Sequence, residues 1–230
     1  MCALPSAIAD RAFDLYCAQL CAAIYDPAPA AAAQFDFIDA GADDGVYWGR
    51  KRFDGLTLIA LRGSRTPGDW IRDLLAMPDP FYHHGQLGPV HRGFALGTEQ
   101  ACGEILRASE GTEVVLIGHS FGAAHADILA GLMCVSGRSP KRRVCFGEPQ
   151  PGFARLAEVL KAVPGASYRN GHAVAHEHDL VTDVPFTLPP FAEFVHPTPL
   201  VDVYAAPAPD DQWGAFRYHH MDLYVKALAA

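Results

Sequence analysis

Five residues, Gly118-His119-Ser120-Phe121-Gly122, carry the sharpest chemical signal in this 230-residue chain. They form the pattern G-x-S-x-G. Val114-Val115-Leu116-Ile117 before it read as a buried strand, and Ala123-Ala124-His125-Ala126 after it read as the start of a helix. A chain that turns so sharply from strand into helix holds its serine in a strained backbone state with the hydroxyl presented at the turn. Glycines on both sides leave room for that turn, because a Cβ there would meet neighbouring backbone. The helix N-terminus supplies amide donors and a positive dipole at the reacting centre. A serine hydroxyl is a weak nucleophile and needs a base, itself oriented by an acid. Downstream, Asp179 lies in the turn-like His176-Glu177-His178-Asp179-Leu180-Val181, and His219 and His220 open the last helix. With 11 histidines in the chain, the order serine, acid, histidine is by itself a weak constraint. Glu177 and Asp183 stand as rival acids and His220 as a rival base.

The elements that must position these groups follow from the apolar pattern. Half of the chain is apolar, 19% is charged and the net charge is −8. Such a chain has ample apolar surface to bury, and its length suits one α/β domain over 1–230. The acidic balance argues against nucleic acid as a partner and against adsorption to anionic membranes. No apolar run approaches the ~18–20 residues that span a bilayer. The start is apolar but lacks a basic region before it, and Asp10, Arg11 and Asp14 interrupt it, so no secretory signal is expected. A cytoplasmic location follows as an expectation, with lysis or a non-classical route left open for export. Phe13, Cys17, Leu20 and Ile24 recur at helical spacing and predict an amphipathic first helix. The six cysteines form no CxxC pair and read as free, mostly buried thiols.

Further along, 46–48 and 56–61 predict two strands joined by a turn at Asp54-Gly55. Helices are predicted over 69–76, 94–107, 121–133, 153–162 and 220–229. Strands are predicted over 113–117, 144–146 and 167–170, with a strand pair over 194–204 and a Pro/Asp loop over 205–212. Strands alternating with helices imply a mainly parallel central sheet with helices on both faces.

Seven segments, in order, resemble the class 3 lipases, the fungal-lipase-like branch of the α/β-hydrolases. They are Leu58-Ile59-Ala60-Leu61-Arg62-Gly63-Ser64, Asp69-Trp70-Ile71-Arg72-Asp73-Leu74, Val90-His91-Arg92-Gly93-Phe94, the Ser120 turn, Phe146-Gly147-Glu148-Pro149-Gln150-Pro151-Gly152, Asp179-Leu180-Val181 with Pro185, and His219-His220-Met221-Asp222-Leu223-Tyr224. The resemblance implies an α/β-hydrolase fold and a catalytic triad of Ser120 as nucleophile, His219 as general base and acid, and Asp179 as orienting carboxylate. It implies an oxyanion hole from the amides of Ser64 and Phe121. Three positions depart from the family pattern: Phe121 replaces Leu or Met, Ala123 replaces a glycine, and Gln150 replaces an arginine. None removes a catalytic group.

His91 and His119 read as buried side chains that brace loops, and the irregular spacing of His172, His176 and His178 argues against a metal site. Trp70, Ile71, Leu74 and Leu75 fall on one helical face. That face suits either a helix packed permanently on the core or, by the resemblance, a lid with an apolar underside. Val184, Pro185, Phe186, Leu188 and Phe191 suit either an acyl pocket or the core. The expected activity is carboxylic ester hydrolysis by a triacylglycerol lipase or esterase, with Trp70, Leu74, Val184 and Phe186 on the substrate. No cofactor and no metal are required, the substrate is a lipid or small ester, and contact with a lipid interface would be transient. An amidase or acyltransferase on the same triad, or a non-catalytic binding protein keeping the fold, are the alternatives.

Overall fold

The computed structural model describes residues 11–26, 30, 33–39, 46–63, 81–175, 177–185 and 193–230. Its frame is an eight-stranded sheet built from β1 (Phe37–Asp39), β2 (Trp48–Phe53), β3 (Leu56–Leu61), β6 (Glu113–His119), β7 (Arg142–Phe146), β8 (Gly165–His172), β9 (Glu177–His178) and β10 (Leu200–Tyr204). The strands run in the order β1-β2-β3-β6-β7-β8-β10, and β9 pairs with β8. The first three are antiparallel neighbours, turning between β2 and β3 at Asp54-Gly55 as the sequence predicts. From β3 to β10 every pair along the path is parallel.

The parallel strands are apolar at nearly every position because both of their faces are covered. Successive side chains of β3 go to opposite sides. Leu58 and Ala60 join one core, with Phe13, Cys17 and Leu20 of helix α1 (Arg11–Ala23) and Leu223 and Tyr224 of helix α6 (Met221–Ala229). Ile59 and Leu61 join the other, beneath helices α3 (Thr98–Ala108), α4 (Phe121–Val135) and α5 (Ala154–Leu160). Val115 and Ile117 against Val114 and Leu116 repeat the division in β6. Helices thus cover both faces of the sheet, as expected.

Three expectations need correction. The strand expected over 46–48 runs instead over Trp48–Phe53. The single helix predicted over 94–107 is two, α2 (Arg92–Ala95) and α3, because Gly97 takes a left-handed φ of 74° between them. Apolar spacing continues through that break and hides it. The strand pair predicted over 194–204 is one strand, β10, preceded by an isolated bridge from Val195 to Gly152. Pro197 and Pro199 lack the amide hydrogens that a ladder needs. A short hairpin, β4 (Phe81–His83) with β5 (Pro89–His91), had no signal in the apolar pattern. Cys17, Cys21, Cys102, Cys134 and Cys145 are free thiols. Among the described residues no helix is long and apolar enough to cross a membrane, and no cluster of metal-ligating side chains occurs. The helix expected over 69–76 lies outside the described residues.

Candidate active site

Strand β6 ends at His119 and helix α4 begins at Phe121, so Ser120 alone makes the turn. Its backbone sits at φ 59° and ψ −131°, and among the described residues it is the one non-glycine with positive φ. Such a conformation stores roughly 1–3 kcal/mol of strain, which the surrounding packing must hold. The flanking glycines show how tight that packing is. A Cβ on Gly118 would overlap the Gly122 carbonyl, and one on Gly122 would overlap the Leu61 carbonyl at the end of β3. The Ser120 amide donates to the Phe146 carbonyl at 3.0 Å and ties the turn to β7. Ser120 is only 1% exposed, and its hydroxyl has no hydrogen-bond partner among the described residues.

The residue after Phe146 leads to the second half of the site. A Cβ on Gly147 would lie 2.6 Å from Asp179 Oδ2 and 2.8 Å from His219 Nδ1, so glycine is needed for the backbone to pass the pair. His219 Nδ1 donates to Asp179 Oδ2 at 2.6 Å, with both side chains fully buried. Asp179 caps the turn Leu180–Asp183, and its other oxygen accepts from the Val181 amide at 2.9 Å. Tyr224 of α6 donates a third hydrogen bond to Asp179 Oδ2 at 2.5 Å. Burial alone would push the Asp179 carboxyl up. The positive charge available on His219 and the hydrogen bonds from His219, Tyr224 and Val181 outweigh it, and the carboxyl lies below its ordinary value. With Nδ1 committed as donor, the neutral His219 ring keeps a lone pair at Nε2, which has no partner among the described residues.

A second histidine fixes the first. His119 stacks on His219 with centroids 4.5 Å apart. Its Nε2 donates to the His219 carbonyl at 2.9 Å, so its Nδ1 is the acceptor of a hydrogen bond from the Tyr25 hydroxyl at 2.8 Å. The Tyr25 oxygen in turn accepts from the Gly63 amide at 2.9 Å. Burial, reinforced by neighbouring His219, lowers the His119 pKa to about 3 and keeps the ring neutral. His220 points elsewhere: its Nε2 pairs with Asp211 Oδ2 at 2.8 Å and its ring lies 3.7 Å from Trp213. Of the rival acids, Asp183 pairs with His178, and Glu177 pairs with Arg217 and Tyr218.

Ser120 thus follows β6 and Phe121 opens α4, whereas Asp179 follows β9 and His219 ends the turn Gly214–His219 just before α6; Gly147, next to the Phe146 carbonyl that holds the Ser120 amide, packs against the Asp179–His219 pair. Phe121 opens α4, so its amide belongs to the first turn, whose N–H groups project beyond the helix N-terminus. Its ring is edge-on to Phe94 at 5.2 Å and to His125 at 4.5 Å. Val184 is 2% exposed within the core cluster that contains Ala123 and Val181. Ser64, Trp70, Leu74 and Phe186 lie outside the described residues. His91 braces a loop as expected, its Nδ1 capping α2 through the Gly93 amide. Sequence reasoning missed Tyr25, and it gave Tyr224 no role beyond the closing segment. A signal existed for Tyr25: it follows the apolar stripe of α1, and a buried tyrosine hydroxyl needs a partner.

A strained serine turn set in a mainly parallel sheet with helices on both faces defines an α/β-hydrolase fold. Residues 58–188, more than half of the chain, match the family Lipase (class 3). The chain belongs to the class 3 lipase family, and with it to the carboxylic ester hydrolases. Solved structures share the fold. The triacylglyceride lipase of Rhizomucor miehei is 19% identical with a TM-score of 0.63, covering 86% of this chain and 81% of that one. The mono- and diacylglycerol lipase of Aspergillus oryzae is 18% identical with a TM-score of 0.63, covering 90% and 83%. Lip2 lipase of Yarrowia lipolytica is 18% identical with a TM-score of 0.62, covering 85% and 79%. A search of curated protein sequences found no match.

Proposed function

We propose that the chain hydrolyses fatty-acyl esters, acylglycerols among them, through an acyl-enzyme on Ser120. The observation that carries this reading is the pairing of a strained, unpartnered serine hydroxyl with a histidine whose Nδ1 is held by Asp179 and whose Nε2 is left open. His219 Nε2 takes the Ser120 proton as Oγ attacks the ester carbonyl carbon. The carbonyl oxygen becomes an oxyanion, for which the Phe121 amide at the helix N-terminus is a donor. By the family resemblance Ser64 supplies a second. A donor of this kind is worth roughly 3–4 kcal/mol at the transition state. The tetrahedral intermediate collapses, the C–O bond to the alcohol breaks, and His219 returns the proton to the leaving alkoxide. Water then attacks the acyl-enzyme, gives its proton to His219, and the acid departs as the serine is restored. Asp179 keeps the ring in the correct tautomer and stabilises the imidazolium without being protonated itself. The Ser120 hydroxyl and His219 Nε2 do not hydrogen-bond to each other here, and catalytic hydrogen bonds are often long in a free enzyme and tighten in the substrate complex.

The test is a fluorophosphonate probe on folded protein. Labelling at Ser120, abolished in Ser120→Ala, is the expected result. A folded chain that takes no label would overturn the reading. Hydrolysis of nitrophenyl esters of rising chain length, dissolved and then presented at a lipid surface, would place the enzyme between esterase and lipase.

A further inference from the structure

Asn170 lies in β8, two positions before its end, and is fully buried. Its backbone carbonyl accepts from the Asp179 amide at 2.8 Å, and its backbone N–H donates to the Tyr224 hydroxyl at 3.2 Å. That hydroxyl is the one that donates to Asp179 Oδ2. The side chain reaches a different part of the fold. Nδ2 donates to the Tyr218 carbonyl at 3.2 Å, in the peptide that joins Tyr218 to His219, and to the Ala205 carbonyl at 3.1 Å. Oδ1 accepts from the Ala205 amide at 2.9 Å. Two carbonyls facing Nδ2 and one N–H facing Oδ1 leave a single orientation for the amide.

The backbone bonds would form with almost any residue at this place in β8, but the side-chain bonds require an asparagine. Its neighbours Val203, Ala205 and Tyr224 belong to an apolar core, where an apolar side chain would be the ordinary choice. Such a residue would leave the Tyr218 carbonyl and both Ala205 backbone groups without these partners, a state that buried backbone groups rarely bear. The Tyr218 carbonyl stands at the end of the turn Gly214–His219, where a helical segment has no internal donor to offer it. Aspartate has the same shape but would aim a second oxygen at two carbonyls. The same two loops are also tied at the surface, where Glu177 accepts from Arg217 and from the Tyr218 hydroxyl. That outer tie is exposed to solvent and screened by it, whereas the Asn170 tie is shielded.

Resting on the ester-hydrolase reading above, we infer that Asn170 is a positioning residue for the acid–base pair, setting where the backbone of His219 stands relative to that of Asp179. The two arrive separately, Asp179 after β9 and His219 before α6, 40 residues apart along the chain. Asn170 bonds to the peptide that precedes each of them, through the Asp179 N–H on one side and the Tyr218 C=O on the other. Without the side-chain bond the His219 loop keeps its contact with Asp179 only through the ring itself. The ring then drifts, and Nε2 is misaligned with Ser120, while the groups that bind substrate are untouched. The loss therefore falls on kcat and not on KM.

The experiment compares Asn170→Ser, whose hydroxyl is too short to bridge, with Tyr168→Phe. The latter lies on the same strand and removes a buried hydrogen bond to Asp14 that touches neither loop. Tm, kcat and KM on one nitrophenyl ester are measured, together with the low-field proton resonance of the His219–Asp179 hydrogen bond. Asn170→Ser is expected to lower kcat by about tenfold or more at nearly constant KM and to shift or broaden the low-field signal. Tyr168→Phe is expected to lose Tm while keeping kcat and the signal. An Asn170→Ser chain that loses Tm alone, a loss confined to KM, or an equal fall of kcat in Tyr168→Phe would overturn the inference. If Asn170→Ser does not fold, Asn170→Asp and the wild type decide. Full kcat in Asn170→Asp, or rapid solvent exchange of the Asn170 carboxamide protons in the wild type, would overturn it as well. A wild type that turns over no ester would instead overturn the ester-hydrolase reading, and the resonance and exchange measurements, which need no turnover, would still test Asn170.

Discussion

The two sides of Ser120 are built on opposite principles. On the Asp179 side both carboxylate oxygens are engaged, by His219, Tyr224 and Val181, and the His219 carbonyl takes a bond from His119, while His219 Nε2 has no partner among the described residues. On the Phe121 side the contacts are aromatic, Phe121 meeting Phe94 and His125 edge-on, and the His125 nitrogens have no hydrogen-bond partner among the described residues. The first side is complete before substrate arrives, which suits groups that must move a proton without reorganising. The difference sets a hydrogen-bonded group beside an aromatic one on the two sides of the same turn.

The largest effects should come from breaking the completed side. His219→Ala is expected to lower kcat by roughly 10⁴-fold or more, whereas His220→Ala, which removes only the Asp211 pair and the Trp213 stack, keeps most of it. Steady-state kinetics on one nitrophenyl ester checks both, and the reverse ranking would mean that the wrong histidine faces the serine. Next, Tyr224→Phe removes one of three donors to a buried carboxylate and should cost about tenfold in kcat with little change in KM. A change confined to KM would show that Tyr224 acts on substrate instead. Tyr25→Phe breaks the link between Gly63 and His119 and should lower kcat by a smaller factor, a few-fold, again at constant KM.

The smallest effect concerns stability. The folded chain holds His91 at about 4 and His119 and His125 at about 3, against an ordinary imidazole value near 6.5. Below about pH 6.5 the unfolded chain binds protons that the folded one refuses, so this stability is complete above that pH and is lost progressively as pH falls toward 3. Asp179, held below its ordinary value, adds to the loss at the acid end. Thermal melts from pH 8 to pH 4 should show Tm falling with acid. His125→Leu should flatten that slope by up to one proton, because it removes one of the neutral imidazoles. An unchanged slope would mean that His125 is already charged in the folded chain.

Most of the completed side could be read from the chain itself. The Ser120 turn is a local pattern in which two glycines, an apolar run and a small-residue helix start all fall within a dozen positions. Asp179 and His219 were legible as members of ordered segments, and the resemblance set His219 ahead of its neighbour; the fold adds that one ring goes to Asp179 and the other to Asp211. Tyr25 and the roles of His119 and Tyr224 were not legible in that way. Each acts through a partner dozens of residues distant, and no spacing rule encodes which distant hydroxyl meets which ring. The helix break at Gly97 was masked by apolar spacing that continues across it.

The Tyr25 link has a consequence for anyone who would shorten or splice this protein. Helix α1 looks like an outer cover for one face of the sheet, the kind of element that trimming or exchange with a relative would be expected to affect only in thermal tolerance. Yet the residue two positions beyond its last helical residue closes a hydrogen-bond chain that runs from Gly63 through His119 to the backbone of His219. A chimaera carrying a foreign first helix should therefore melt normally and still turn over slowly unless it brings a tyrosine to that one position.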